Sequence, residues 1–148
     1  DGDDAEHVEG RGPDDRRRTE VAREEVVRQD LDDAQQEEIA EVVLKSGIDG
    51  LILTNTTLDR PDFLPTGFKN EKGGLSGQPL RRKSTELIKN FSKLTKGELP
   101  IIGAGGIASS FDAQEKLDAG ASLVQLYTGL IYEGPGLPAK ICEGLTKG

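Results

Sequence analysis

The sequence predicts an α/β fold built on a parallel sheet, and three observations predict it. Helix-glycine-strand passages follow one another at Gly47 to Leu53, Gly97 to Ile102 and Gly120 to Leu126, the rhythm of parallel strands joined by covering helices. The strands are short, apolar and rich in β-branched residues, as strands buried on both faces are. Each one ends abruptly in glycines or polar residues, and in such sheets ligands bind outside the carboxyl ends of the strands.

The clearest of these junctions is Pro100-Ile101-Ile102-Gly103-Ala104-Gly105-Gly106-Ile107-Ala108-Ser109-Ser110. It passes from an apolar run straight into glycines and then a helix cap, where backbone N–H groups and the positive end of a helix dipole can hold a phosphate. About twenty residues on, Ala121-Ser122-Leu123-Val124-Gln125-Leu126-Tyr127-Thr128-Gly129 reads as a second strand with a polar, glycine-marked tip. Two neighbouring tips can grip one phosphate. In a (β/α)8 barrel the common phosphate site lies at the loops after strands seven and eight, so these read as the last strands of such a barrel. The fold expected is therefore the C-terminal portion of a (β/α)8 TIM barrel, three of its eight strands with their helices, over residues 31–148.

The totals bound this reading. A chain of 148 residues, 34% hydrophobic, suffices for one core but falls short of the roughly 250 residues of a whole barrel. The net charge of −8 excludes nucleic acid as the expected partner, because phosphate backbones are bound through clustered Lys and Arg. No apolar run reaches the roughly 20 residues needed to span a bilayer. Cys142 has no second cysteine to pair with and reads as a small packed side chain. The chain contains no Met and begins at Asp1, which reads as a piece of a longer product.

Taken in order, residues 1–30 hold eleven acids against six arginines, with no Lys, Leu, Ile, Phe or Tyr. So little apolar surface cannot offset ordering entropy, which makes a disordered polar segment or non-native sequence the reading there. Val21, Ala22, Val26 and Val27 also fit a charged helix over 19–30. His7 stands alone, without the second ligand a metal needs.

Asp32 and Asp33 open a helix whose apolar stripe is Ile39, Val42 and Val43 and which Gly47 stops. The strand from Ile48 to Leu53 follows, and its tip Thr54-Asn55-Thr56-Thr57 either contacts a ligand or turns the chain through local hydrogen bonds. Residues 58–78 are long for a connection and suit a lid or binding loop. They end in Gly73-Gly74-Leu75-Ser76-Gly77-Gln78-Pro79-Leu80, with a proline placed for a first helical turn. The next helix carries Leu80, Leu87, Ile88, Phe91 and Leu94 on one side. Arg81, Arg82 and Lys83 read as its solvated face, with an anion patch as the alternative. Ser109 and Ser110 cap a helix with Phe111, Ala113, Leu117 and Ala119, closed by Gly120, and Glu133-Gly134-Pro135-Gly136 leads into a last helix.

Four ordered motifs then resemble the C-terminal part of dihydroorotate dehydrogenases: Thr54-Asn55-Thr56-Thr57, Gly73 to Leu80, Pro100 to Gly106, and Ala119 to Thr128. The first and last resemble the quinone-dependent class 2 branch. The resemblance runs from about Leu31 to the end. It implies an FMN flavoprotein of pyrimidine biosynthesis that oxidises dihydroorotate to orotate and passes electrons to a membrane quinone, peripheral to a bacterial or mitochondrial inner membrane, with no metal. It implies that Thr54, Gly77, Gly106, Tyr127 and Thr128 hold FMN, while Asn55 and Thr56 hold the substrate.

The departures are as specific. The resemblance places the proton-removing Ser on the loop after strand four, so no catalytic base is expected among these residues. It also places a Lys at the tip of strand five, where this sequence reads Glu25-Val26-Val27-Arg28-Gln29-Asp30; Arg is a planar fork and Lys a compact point donor. The expectation is a fragment inactive by itself, with two unpaired strand edges. A non-catalytic FMN- or phosphate-binding half-barrel and a truncated product without function are the alternatives.

Overall fold

The computed structural model describes residues 24–146. Four parallel strands, β1 (Glu24–Val27), β2 (Gly50–Leu53), β3 (Ile101–Ala104) and β4 (Leu123–Gln125), lie in the order β1-β2-β3-β4. Helices α1 (Asp33–Ser46), α3 (Arg81–Leu94) and α4 (Ser110–Asp118) cross between them, a short α2 (Thr66–Lys69) sits in the long loop, and α5 (Thr128–Glu133) and α6 (Leu137–Leu145) follow β4.

The sheet has one strand more than the three expected, because Glu24–Val27 pairs in parallel with β2. That strand falls inside the segment set aside as polar, and it stands at 24–27 in place of the helix considered over 19–30, whose residues 19–23 lie outside the described residues. Its local composition favours nothing, but β-branched Val26 and Val27 gain a pleated neighbour, and tertiary pairing overrides weak helical spacing. Residues 1–23, with His7, lie outside the described residues.

The helices begin and end where their caps dictate. Asp32 accepts from the Gln35 N–H at 2.8 Å while Gln35 Oε1 accepts from the Asp32 N–H at 3.0 Å, a reciprocal capping box, and Gly47 closes α1 in the left-handed region. The stripe on α1 differs from the expected one: Gln36, Ala40 and Val43 are buried, Ile39 is half-buried and Val42 is exposed. Likewise α4 buries Asp112, Ala113 and Lys116, while Phe111 is exposed. Polar residues occupy those inner positions because each finds a partner between the helices. The last strand is shorter than its apolar run, since Thr128 already belongs to α5. Cys142 is exposed and not packed.

Strand residues alternate between two faces. Leu51, Leu53 and Ile101 point toward the helices and join Ala40, Val43, Leu87, Ile88 and Phe91 in the main core. The other face presents one row in register across all four strands, Val26, Ile52, Ile102 and Leu123. No described residue closes over this row, and its outer members are 48% and 63% exposed. A second cluster, Ile107, Ala113, Leu137 and Ile141, packs α6 onto α4.

Candidate functional site

All four strands run the same way, so their carboxyl ends share one rim, and the polar tips singled out in the sequence gather there. After β3 the chain turns through Gly105 (φ +102°) and Gly106 (φ +74°). After β4 it turns at Tyr127 into α5. The loop before α3 brings Gly77 (φ +84°) against the second of these: a Cβ on Gly77 would stand 3.1 Å from Thr128 Cγ2, and the Thr128 hydroxyl donates to Ser76 Oγ at 3.0 Å. Gln78 Nε2 donates to the Gly106 carbonyl at 3.1 Å. Gly77, Gly106 and Thr128 are thus brought together, with Tyr127 beside them at 81% exposure.

The backbone at this point has hydrogen bonds to give. Among the described residues no acceptor meets the N–H groups of Gly105, Gly106, Tyr127 and Thr128. Two adjacent tips lined by free N–H groups make an anion-binding concavity, and this donor set fits a phosphate.

The tip of β2 behaves differently. Thr54 is buried, its N–H reaches the Ala104 carbonyl at 3.2 Å, and its hydroxyl donates to Gln29 Oε1 at 3.3 Å. Asn55 and Thr56 are exposed, and Asn55 Oδ1 accepts from the Thr56 N–H at 2.8 Å. Thr57 forms an antiparallel bridge with Leu75, closing the base of the 58–74 loop. Asn55 thus makes a local turn, one of the two sequence readings of this tip, and stays exposed beside Thr56. No described hydrogen bond links Asn55 or Thr56 to the Gly77, Gly106 and Thr128 group.

Several residues that frame the rim escaped the sequence reading. Asp30 lies in the segment set aside, yet its carboxylate accepts from the Thr57 hydroxyl, the Leu58 N–H at 2.9 Å and Lys83 Nζ at 2.8 Å. Burial opposes its ionisation, but those three donors hold its pKa down to about 2. Gln29, 1% exposed, joins Thr54 to the Leu80 carbonyl. The solvated face expected for Arg81, Arg82 and Lys83 holds for Arg82 alone. Lys83 bridges Asp30 and Asp59, and Arg81 Nε meets Glu115 at 2.7 Å and Asp112 at 2.9 Å. One signal was available: Ser109 and Asp112 stand three apart at a helix start, the spacing of a cap with a reciprocal acid.

At the tip of β1, where a lysine is called for by the resemblance, Arg28 is exposed. A strand does occupy that position, parallel to and beside β2.

Residues 27–148 match the family model described as dihydroorotate dehydrogenase. The chain belongs to the dihydroorotate dehydrogenase family. Members of that family are flavin-dependent oxidoreductases. Among curated relatives, the "dihydroorotate dehydrogenase (quinone)" of Chromobacterium violaceum is 58% identical over 108 residues, covering 73% of this chain and 31% of the relative. The mitochondrial "dihydroorotate dehydrogenase (quinone)" of Mus musculus is 53% identical over 112 residues, covering 76% of this chain and 28% of the relative. The ligand-free DHODH of Eimeria tenella superposes with a TM-score of 0.80 at 42% identity, covering 84% of this chain and 34% of the solved one. The chain thus spans about a third of the length of the relatives it matches. Among the described residues, no helix is long and apolar enough to cross a membrane.

Proposed function

We propose that this chain supplies the phosphate end of the FMN site of a quinone-dependent dihydroorotate dehydrogenase, the enzyme that oxidises dihydroorotate to orotate in pyrimidine biosynthesis. The observation that carries the reading is the convergence of Gly77, Gly106 and Thr128 around free backbone N–H groups. That pattern suits a dianion on a flexible tail, which is what FMN offers. Gly106 and Gly77 bring bare backbone to the phosphate, Thr128 adds a hydroxyl, and Tyr127 flanks the opening. Thr54 stands at the end of β2 with its hydroxyl on Gln29, so its part is to set the level of the rim beneath the flavin. Asn55 and Thr56, exposed on the same rim, offer amide and hydroxyl groups to a ring bearing carbonyls and a carboxylate.

The bound flavin would accept the hydride of the oxidation. The residues present bind and orient. Removing the substrate proton needs a base within hydrogen-bond reach, and the Ser that the resemblance assigns to that task has no counterpart in this sequence. Electron delivery to a quinone, and with it a place at a membrane surface, belongs to the same reading and rests on the names of the relatives.

Arg28 at the β1 tip favours a second reading, a half-barrel that binds FMN without turnover. Titrating the chain with FMN and with riboflavin, followed by flavin fluorescence, tests the part common to both. Binding of FMN at least about tenfold tighter than riboflavin is expected, since charge-assisted hydrogen bonds are each worth about 1.5–3 kcal/mol. Equal affinities for the two flavins would overturn it. Dihydroorotate-dependent reduction of the bound FMN then separates the enzyme from the binding module.

A further inference from the structure

The turn after β3, one side of the phosphate cradle, is far in sequence from the turn before α3 that packs against it, and one buried carboxylate joins them. Asp112, on the first turn of α4, is 4% exposed. Its Oδ2 accepts from the Ala108 N–H at 3.1 Å and the Ser109 hydroxyl at 2.8 Å, both in the segment that follows Gly106. The same oxygen accepts from Gln78 Nε2 at 3.3 Å, and that amide also donates to the Gly106 carbonyl at 3.1 Å. Its Oδ1 faces Arg81 Nε at 2.9 Å. Arg81 is held in turn, for Lys116 Nζ donates to its carbonyl at 2.7 Å and its backbone lies where a Cβ on Gly106 would fall, 2.5 Å from Arg81 Cα.

We propose that Asp112 is the positioning residue of the cradle: its carboxylate locks the Gly105–Ser109 turn to the Gly77–Arg81 turn, fixing the N–H groups that meet a phosphate. The inference rests on the proposed FMN reading for the ligand but not for the lock. Four donors converge on one anion, more than a helix cap requires; capping alone is met by Ser109 Oγ, which accepts from the Asp112 N–H at 3.2 Å. A carboxylate near a bound phosphate would ordinarily repel it. Here Arg81, shared with Glu115, pairs with the carboxylate, which acts on the cradle through the Ala108 N–H, the Ser109 hydroxyl and the Gln78 amide. Burial works against its ionisation, while the Ser109 hydroxyl, the Ala108 N–H and Arg81 keep it ionised.

The test compares the full chain with Asp112→Asn, which keeps the shape and loses the anion, and Ser109→Ala, which removes the cap. Amide hydrogen exchange at Ala108, whose N–H donates to the carboxylate, and the amide chemical shifts of Gly105 and Gly106 are read in all three, with thermal midpoints alongside. The lock predicts exchange at least about tenfold faster at Ala108 and displaced Gly105 and Gly106 shifts in Asp112→Asn, and smaller changes in Ser109→Ala at a similar midpoint. Equal exchange in the two variants would overturn it and leave Asp112 as a capping residue. FMN and inorganic phosphate are then titrated into the same samples. Weaker binding of both by Asp112→Asn, with riboflavin unaffected, supports the positioning role. If the unaltered chain shows no preference for FMN, the flavin reading fails, while the exchange result still decides the lock.

Discussion

At Gly106 the backbone has no room for a side chain. Its φ of +74° lies in the left-handed region, and an added Cβ would meet Arg81 Cα at 2.5 Å, backbone that cannot swing away. Gly106→Ala is expected to cost about 2–4 kcal/mol, combining conformational strain with overpacking, as read from urea denaturation. A loss under about 0.5 kcal/mol would mean that the turn is not held against α3.

Lys116 poses the opposite problem, a cation inside. It is fully buried, with Nζ donating to the Arg81 carbonyl and the Thr85 hydroxyl, each at 2.7 Å. Burial pushes its pKa down to about 8, helped by Arg81 and opposed by Glu115 and Asp112. An unfolded lysine titrates near about 10.4. Between these values the unfolded chain binds more protons than the folded one, so stability rises as pH goes from about 8 to about 10.4 and is flat in this group below that window. The neutral amine keeps two N–H groups, enough for its two acceptors. Lys116→Met should flatten the rise, measured as urea midpoints at pH 7.5 and pH 10; a variant that gains as much as the unaltered chain would contradict this.

Both residues show what the sequence could and could not disclose. Glycine between an apolar strand and a serine cap is legible, because few other residues serve that turn. A lysine at an inner helix position is not, because its partner is a backbone carbonyl 35 residues away. Asp30 was hidden for the same reason: its donors Thr57, Leu58 and Lys83 lie across the fold.

Among the elements, those with local punctuation were readable and those made by pairing were not. The α1 and α4 starts followed from Asp32 and Ser109. Strand β1 came only from its neighbour, since four residues with two acids and two valines specify little. One side chain ties the two ends of the long loop together. Arg60 donates to the carbonyls of Thr57, Leu58 and Asp59 at its start and of Glu71 and Gly73 at its end, at 2.6 to 3.4 Å. Arg60→Ala removes the clamp while the Thr57–Leu75 bridge remains. Limited proteolysis within 60–72 is expected to quicken by about tenfold or more with little change in global stability. Unchanged cleavage would show that the bridge alone holds the loop.

At the scale of the whole molecule, the sheet has the two-faced construction of a barrel wall. Leu51, Leu53 and Ile101 face the helices, and the row Val26, Ile52, Ile102 and Leu123 faces the side where a barrel keeps its packed interior layers. The superposition on a solved dihydroorotate dehydrogenase over 84% of this chain agrees with that construction. The fold class was legible because glycine rhythm and apolar strands set it locally. The strand number was not, because it depended on a pairing. The rim residues named from the sequence divide likewise. Gly77, Gly106 and Thr128 converge because loop closure brings glycine to hydroxyl, whereas Thr54 turns its hydroxyl toward Gln29, a partner that composition had hidden.

In the proposed function, the tips after β3 and β4 form one phosphate cradle for FMN. The measurement that tests it most directly is an amide-resolved NMR titration of the chain with FMN, repeated with riboflavin. Shifts centred on Gly105, Gly106, Tyr127 and Thr128 are expected with FMN and not with riboflavin. Identical responses to the two flavins, or shifts elsewhere on the sheet, would contradict it.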